Sequence, residues 1–169
     1  MSGLLNANSI ADGRISLSES DQRWLESYLR EAGAVAGTLH RATSADEDPG
    51  AGSGDGPGLR LTAAFRIPPP VQAAVAWVPE GKGMAGEAMR TRQPVATCNL
   101  KDDPSATVRP GARAVDAQAA IAIPLAAADG PVRAVVGLAF ADGRDLPPET
   151  VATLTRLAKA ALHPAELPQ

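Results

Sequence analysis

The 169-residue chain is 44% hydrophobic but only 3% aromatic, enough apolar bulk for one domain with a core of small side chains and few surfaces on which a base or a haem would stack. Its 16 basic and 19 acidic residues leave a formal net charge of −3 without a long basic run, which argues against nucleic acid and acidic membranes as main partners. One cysteine and two histidines supply neither an internal disulfide nor a thiolate-rich metal site, so no metal and no cofactor is expected.

Residues 1–18 show no sustained period and no secretory signal, and read as a flexible lead-in. From Asp21 the pattern becomes helical. Trp24, Leu25, Tyr28, Leu29 and Ala32 share a face, Glu26 and Arg30 stand at i,i+4, Ser20 is placed to cap and Gly33 to stop. "AVAGTLHRA", 34–42, is expected as a strand. The next segment, 44–58, uses only Ser, Ala, Asp, Glu, Pro and Gly, a composition for a disordered loop within one domain rather than a boundary. "LRLTAAFRI" alternates, with Leu59, Leu61, Ala63, Phe65 and Ile67 on one side, as in a half-buried hairpin strand.

After Pro68-Pro69-Pro70, "VQAAVAWV" (71–78) has the composition of a further strand, and Pro79-Glu80-Gly81 turns the chain into a short helix ended by Pro94. The turn spells Gly81-x-Gly83-x-x-Gly86, the letters of a dinucleotide fingerprint, but about two turns of helix are too few to pack across a parallel sheet and present a pyrophosphate site. The pattern therefore reads as a glycine turn. "PVATCNL" (94–100) is expected as a strand, with Cys98 on the face of Ala96 and Leu100 as an inert core thiol. A polar loop, 101–117, precedes a buried hairpin of "AAIAIPLA" and "RAVVGLAFAD". Its longest apolar run, Ala119–Ala128, contains Pro124 and is too short to span a membrane. Val151, Leu154, Leu157, Ala158, Ala161 and Leu162 then mark a second amphipathic helix, with Asp145 near its start and Pro164 as its stop. A soluble, cytoplasmic α+β layered domain over 19–163 follows, with a tail at 164–169.

"VPEGKGMAGEAMRTRQPVATCNL", "AIAIPLAA" and "RAVVGLAFAD" resemble a GAF domain, in particular the branch of free methionine-(R)-sulfoxide reductases. The resemblance implies a central antiparallel sheet of about six strands, with the N- and C-terminal helices on one face and a short helix plus loops on the other. It also implies a ligand pocket between the sheet and the 101–117 loop. Reductase chemistry needs at least two approaching cysteines. At the family's cysteine positions stand Val75, Ala85 and Val115, and the acid before the buried strand is Ala120; Asp116 alone is retained. Bilin attachment lacks its cysteine in 101–117. Haem ligation lacks a pocket histidine, His40 and His163 both being expected in solvent.

The resemblance thus implies a non-catalytic sensory or regulatory domain. Trp77, Met84, Arg109, Arg113, Asp116 and Ile121 are the candidate ligand-binding residues. The two arginines would clamp a carboxylate or phosphate and Asp116 would take an amine, a set suited to a small anionic or amino-acid-like ligand. The alternative is a ligand-free interaction module that forms a homodimer through its terminal helices. A third possibility is residual sulfoxide reduction through Cys98 and an external thiol. In the first two cases the signal passes to a partner protein that the sequence does not name.

Overall fold

A computed structural model describes residues 17–43, 57–98, 117–126 and 130–161, and all structural statements concern these. Helix α1 (Glu19–Ala32) leads into the hairpin β1 (Ala36–Thr43) and β2 (Gly58–Phe65). A short helix α2 (Pro69–Ala74), strand β3 (Trp77–Pro79), helix α3 (Gly83–Thr91) and strand β4 (Val95–Thr97) follow. The chain closes with β5 (Ala119–Ala126), β6 (Val132–Phe140) and α4 (Pro148–Ala161). The strands form one antiparallel sheet in the order β3-β2-β1-β6-β5-β4, the α+β layering expected.

Helix α1 starts two residues earlier than the spacing suggested. Ser18, not Ser20, is the N-cap and accepts from the Asp21 amide, while Gly33 ends the helix with a left-handed φ of 71°. The i,i+4 ion pair that forms is Glu19–Arg23, at 2.8 Å; Glu26 instead accepts from Gln22. Helix α4 begins at Pro148, with the Pro147 carbonyl taking the amides of Thr150 and Val151, so Asp145 is not its cap.

Two expectations for the middle of the chain are corrected. "VQAAVAWV" is not one strand: Pro69 at the first turn and the alanines after it suit a helix, and only Trp77–Pro79 pair with β2. The alternation of β2 breaks at Thr62, because Leu39 pairs with Ala63 and His40 with Leu61, leaving Thr62 as a bulge. Leu59 and Leu61 therefore face α3 and α2, whereas Ala63 and Phe65 join the residues under α1 and α4. The expected loop 44–58 also ends earlier, since Gly58 opens β2; residues 44–56, 1–16 and 162–169 lie outside the described residues.

The larger core lies beneath α1 and α4. Leu25, Tyr28 and Leu29 pack on Leu39, Ile123, Val136, Leu138 and Phe140, and Leu154 closes the cluster from α4. Each such side chain removed from water contributes about 1.5–3 kcal/mol. The two terminal helices are neighbours, as expected, and the Tyr28 hydroxyl donates to the Leu154 carbonyl at 2.8 Å. Burial pushes that phenol well above its ordinary range. Gly37 lets α1 approach β1, for a Cβ there would lie 2.6 Å from a Leu29 methyl.

The free edge of β2 beyond β3 is covered by the start of α1. The Ser18 amide donates to the Thr62 carbonyl at 2.7 Å, and the Gln22 side-chain amide bonds both backbone groups of Ala64. Beside them Arg41 makes a two-pronged bridge to Asp21, Nε to Oδ2 at 2.7 Å and a terminal nitrogen to Oδ1 at 2.5 Å. Burial raises the Asp21 carboxyl, but the hydrogen bonds from Arg41 and Thr62 outweigh it and hold the group below its usual value. Replacing Asp21 by Asn removes the charge from the two-pronged bridge while leaving the side chain's size, and is expected to cost about 2–4 kcal/mol in urea unfolding. A loss below about 0.5 kcal/mol would show that the bridge behaves as a solvated surface pair.

Candidate functional site

The face of the sheet opposite α1 and α4 is built from smaller residues. Along β1 the inward positions are Ala36, Thr38, His40 and Ala42; β6 and β5 add Val135, Gly137, Ala139, Ala120 and Ala122. Around this floor stand Ile67, Val71 and Val75 near α2, and Met84, Ala88 and Met89 from α3. The centre is only partly covered. Thr38, Gly137 and Ala120 belong to inner strands yet keep partial exposure, and among the described residues a Cβ built on Gly137 would meet Thr38, whose hydroxyl would lie 2.8 Å away. Thr38 and Gly137 are paired across β1 and β6, with Ala122 next in line on β5.

The glycine motif forms one wall of this region. Gly81 and Gly83 take positive φ values of 84° and 63°, and the Gly81 amide donates to the Gly86 carbonyl at 2.8 Å. Gly86 lies against the Pro79 carbonyl so closely that any Cβ would collide with it. All three glycines thus serve the turn that sets α3 on the sheet, as the shortness of the helix implied. At its far end α3 stops with Arg92 in a left-handed conformation, its guanidinium donating to the Gly130 carbonyl.

His40 is buried, at 3% exposure, rather than solvated as its position near the 44–58 segment suggested. The bulge at Thr62 and the tight β1–β6 pairing keep it turned onto the floor. One ring nitrogen, Nε2, lies 2.9 Å from the Val75 carbonyl, while Nδ1 is buried and has no partner among the described residues. Burial lowers its pKa to about 4, the Val75 hydrogen bond opposing only in part.

Of Trp77, Met84 and Ile121, the three of the six singled-out residues that are described, Met84 is on this floor, packed against both apolar groups there. Ile121 points the other way, into the cluster with Leu25, Tyr28 and Leu154. Strand alternation settles this, since Ala120 and Ala122 are the β5 residues that face α3. Trp77 likewise alternates with inward-facing Val78; its indole lies flat over Gly58, on the side of Arg60. Arg109, Arg113 and Asp116 fall outside the described residues. The histidine was missed because a lone His in a polar-flanked strand carries no periodic signal of burial.

Cys98 is exposed, which corrects its expected place in the core: Thr97 is the buried neighbour, and Ala96 is exposed on the side Cys98 shares. Among the described residues no three His, Cys, Asp or Glu side chains come together to hold a metal ion, and no helix is long and apolar enough to cross a membrane.

The buried imidazole sets a pH window. Between about 6.5 and 4 the unfolded chain takes up this proton and the folded chain does not, so stability falls as pH drops, by up to about 1.4 kcal/mol per unit. Asp21, whose pKa is lowered, contributes in the same direction but only below the ordinary carboxylate range. Urea midpoints between pH 7 and 4.5 are expected to fall for the wild type and to stay nearly level for His40→Gln; parallel curves would show that His40 titrates normally.

A search of curated proteins finds no match. Solved structures match at low identity and so report on the fold. The type II free methionine-R-sulfoxide reductase of Thermoplasma acidophilum has a TM-score of 0.58 at 13% identity, covering 84% of this chain and 86% of that one. NreA of Staphylococcus aureus, in a form mutated at its nitrate binding site, gives 0.58 at 18% identity over 77% and 91%. A domain of a putative two-component sensor histidine kinase from Sinorhizobium meliloti 1021 gives 0.58 at 12% identity over 86% and 89%. The family model of the GAF domain matches residues 22–161, nearly the whole of the described fold from the first turn of α1 to the end of α4. The chain belongs to the GAF domain family.

Proposed function

We propose that this GAF domain is a non-catalytic sensory or regulatory module that takes a small molecule on the floor between β1, β6, β5 and α3 and passes the signal to a partner protein in the cytoplasm. The observation that carries this is the partly exposed centre of the sheet. Thr38, Gly137 and Ala120 lie mid-sheet on inner strands yet stay partly exposed, whereas the inner-strand residues under α1 and α4, among them Leu39, Ile121, Ile123, Val136 and Leu138, are fully buried. Relatives in fold include a domain of a putative sensor kinase and a protein with a nitrate binding site, which fits a ligand-taking role. Arg109, Arg113 and Asp116 remain the proposed clamp for an anionic or amino-acid-like ligand at the mouth of this site.

The reductase alternative is disfavoured by the single cysteine and its place. Cys98 is exposed at the end of an edge strand, and Val75, Ala85 and Ala120 occupy the positions that the reductase resemblance assigns to reacting groups. We expect no turnover of free methionine sulfoxide with thioredoxin; turnover abolished by Cys98→Ser would reverse this reading. Dimerisation through α1 and α4 is a second reading, favoured by their contact on one face. It ranks lower because the outward positions of α1 include Glu19, Arg23, Ser27, Arg30 and Glu31, too polar for a dimer core. If it holds, Ala152→Glu on the exposed side of α4 will dissociate a dimer in native mass spectrometry.

The same measurement tests the ligand. Freshly purified protein is expected to carry extra mass that denaturation releases. Ala120→Leu, which fills the floor, is expected to lose it while keeping the wild-type circular dichroism spectrum. Extra mass retained by the filled variant would place the ligand elsewhere.

A further inference from the structure

His40 stands two residues from Thr38 on the same face of β1, between Leu61 of β2 and Val135 of β6. A carbonyl can only accept, so the contact with Val75 places the proton of the neutral ring on Nε2 and leaves Nδ1 as a lone-pair acceptor. That lone pair is buried and meets no donor among the described residues. A buried polar atom without a partner destabilises the fold, a cost expected to persist where a ligand relieves it.

The direction of the lone pair follows from the sheet order. Val75 belongs to the α2–β3 connection, which runs along the outer side of β2, where the Leu61 amide donates to the Ala76 carbonyl. The two nitrogens of an imidazole point in roughly opposite directions. With Nε2 committed to Val75 on the far side of β2, the ring edge that carries Nδ1 is the one away from β2, on the side of Val135 of β6, two residues from the partly exposed Gly137. Met84 is half-buried against the groups that contain Leu61 and Val135, the two residues flanking His40. Its unbranched thioether chain changes rotamer easily and can give way to an incoming group.

We infer that His40 Nδ1 is the acceptor at the inner end of the ligand site, selecting a small molecule whose inserted end is an uncharged N–H or O–H donor, such as an amide or alcohol, over an isosteric anion. The inference rests on the ligand-binding reading and deepens it: an acidic group on the same ligand stays at the mouth, because a carboxylate oxygen against the Nδ1 lone pair sets two acceptors together in a dry site.

The isosteric pair acetamide and acetate tests this at pH 7.5. The chain has two histidines, so long-range proton–nitrogen spectra of histidine-labelled protein contain two rings, with His40 assigned through His40→Gln. Acetamide is expected to move the His40 Nδ1 resonance saturably in the direction of an accepted hydrogen bond, acetate to leave it in place, and Ala120→Leu to abolish the response. His40→Leu is expected to weaken acetamide binding about tenfold, read from the Thr38 and Gly137 backbone amides. If those amides respond while Nδ1 does not, His40 is not the acceptor and the floor still binds. If neither responds, this inference and the binding floor fall together. An equal response to acetate, or an Nδ1 already hydrogen-bonded without probe, would overturn the donor requirement.

Discussion

The joint between α1 and the first hairpin rests on the Asp21 carboxylate. It takes Arg41 from β1 on one side and Thr62, the bulged residue of β2, on the other. A bulge adds a residue that must be accommodated, and an ion pair half out of water must be fully bonded to be tolerated. Here each condition satisfies the other. The bulge brings Thr62 to the carboxylate, and the carboxylate with the Ser18 and Gln22 bonds holds α1 over the edge that the bulge exposes.

The bulge also divides β2 between two cores. Before it, Leu59 and Leu61 face α2 and α3; after it, Ala63 and Phe65 face α1 and α4. Without that switch either Leu61 or Phe65 would lie on the wrong side of the sheet. The two faces then diverge in character. Under the long helices Leu, Ile, Val and Phe form the larger buried cluster, helped by Gly37 at the closest approach. On the other face alanines, Thr38 and Gly137 leave a shallow centre that α2, of only six residues, and α3 do not fill.

Chemistry is sparse on that face, and the few polar groups there matter more for it. His40 sits in its middle with one nitrogen committed to Val75 and the other uncommitted. The cysteine that would carry thiol chemistry is at the sheet's margin, in solvent. The glycine triplet that spells a nucleotide fingerprint is consumed by backbone geometry: two positive φ angles and one contact with the Pro79 carbonyl. An apolar floor with isolated hydrogen-bonding groups has the make-up on which the proposed small-molecule site rests.

By itself the sequence determined the elements with strong periodicity or punctuation: α1 and α4 from their apolar stripes, β5 and β6 from a hairpin of branched residues around Asp129-Gly130-Pro131, and α3 from its glycines and Pro94. The family motif, carried by those same stretches, was legible for the same reason. Local patterns did not reveal the bulge, because Leu59 to Ile67 alternates without a break and the shift arises only from pairing with β1. Nor could they separate α2 from a strand in an alanine-rich run, where propensities are nearly balanced and the prolines decide. Which side of the sheet Trp77 and Ile121 face, the burial of His40 and the exposure of Cys98 were decided by tertiary packing alone. A strand residue's face depends on register with its neighbours, and its burial on what lies across from it, neither of which is written at the residue itself.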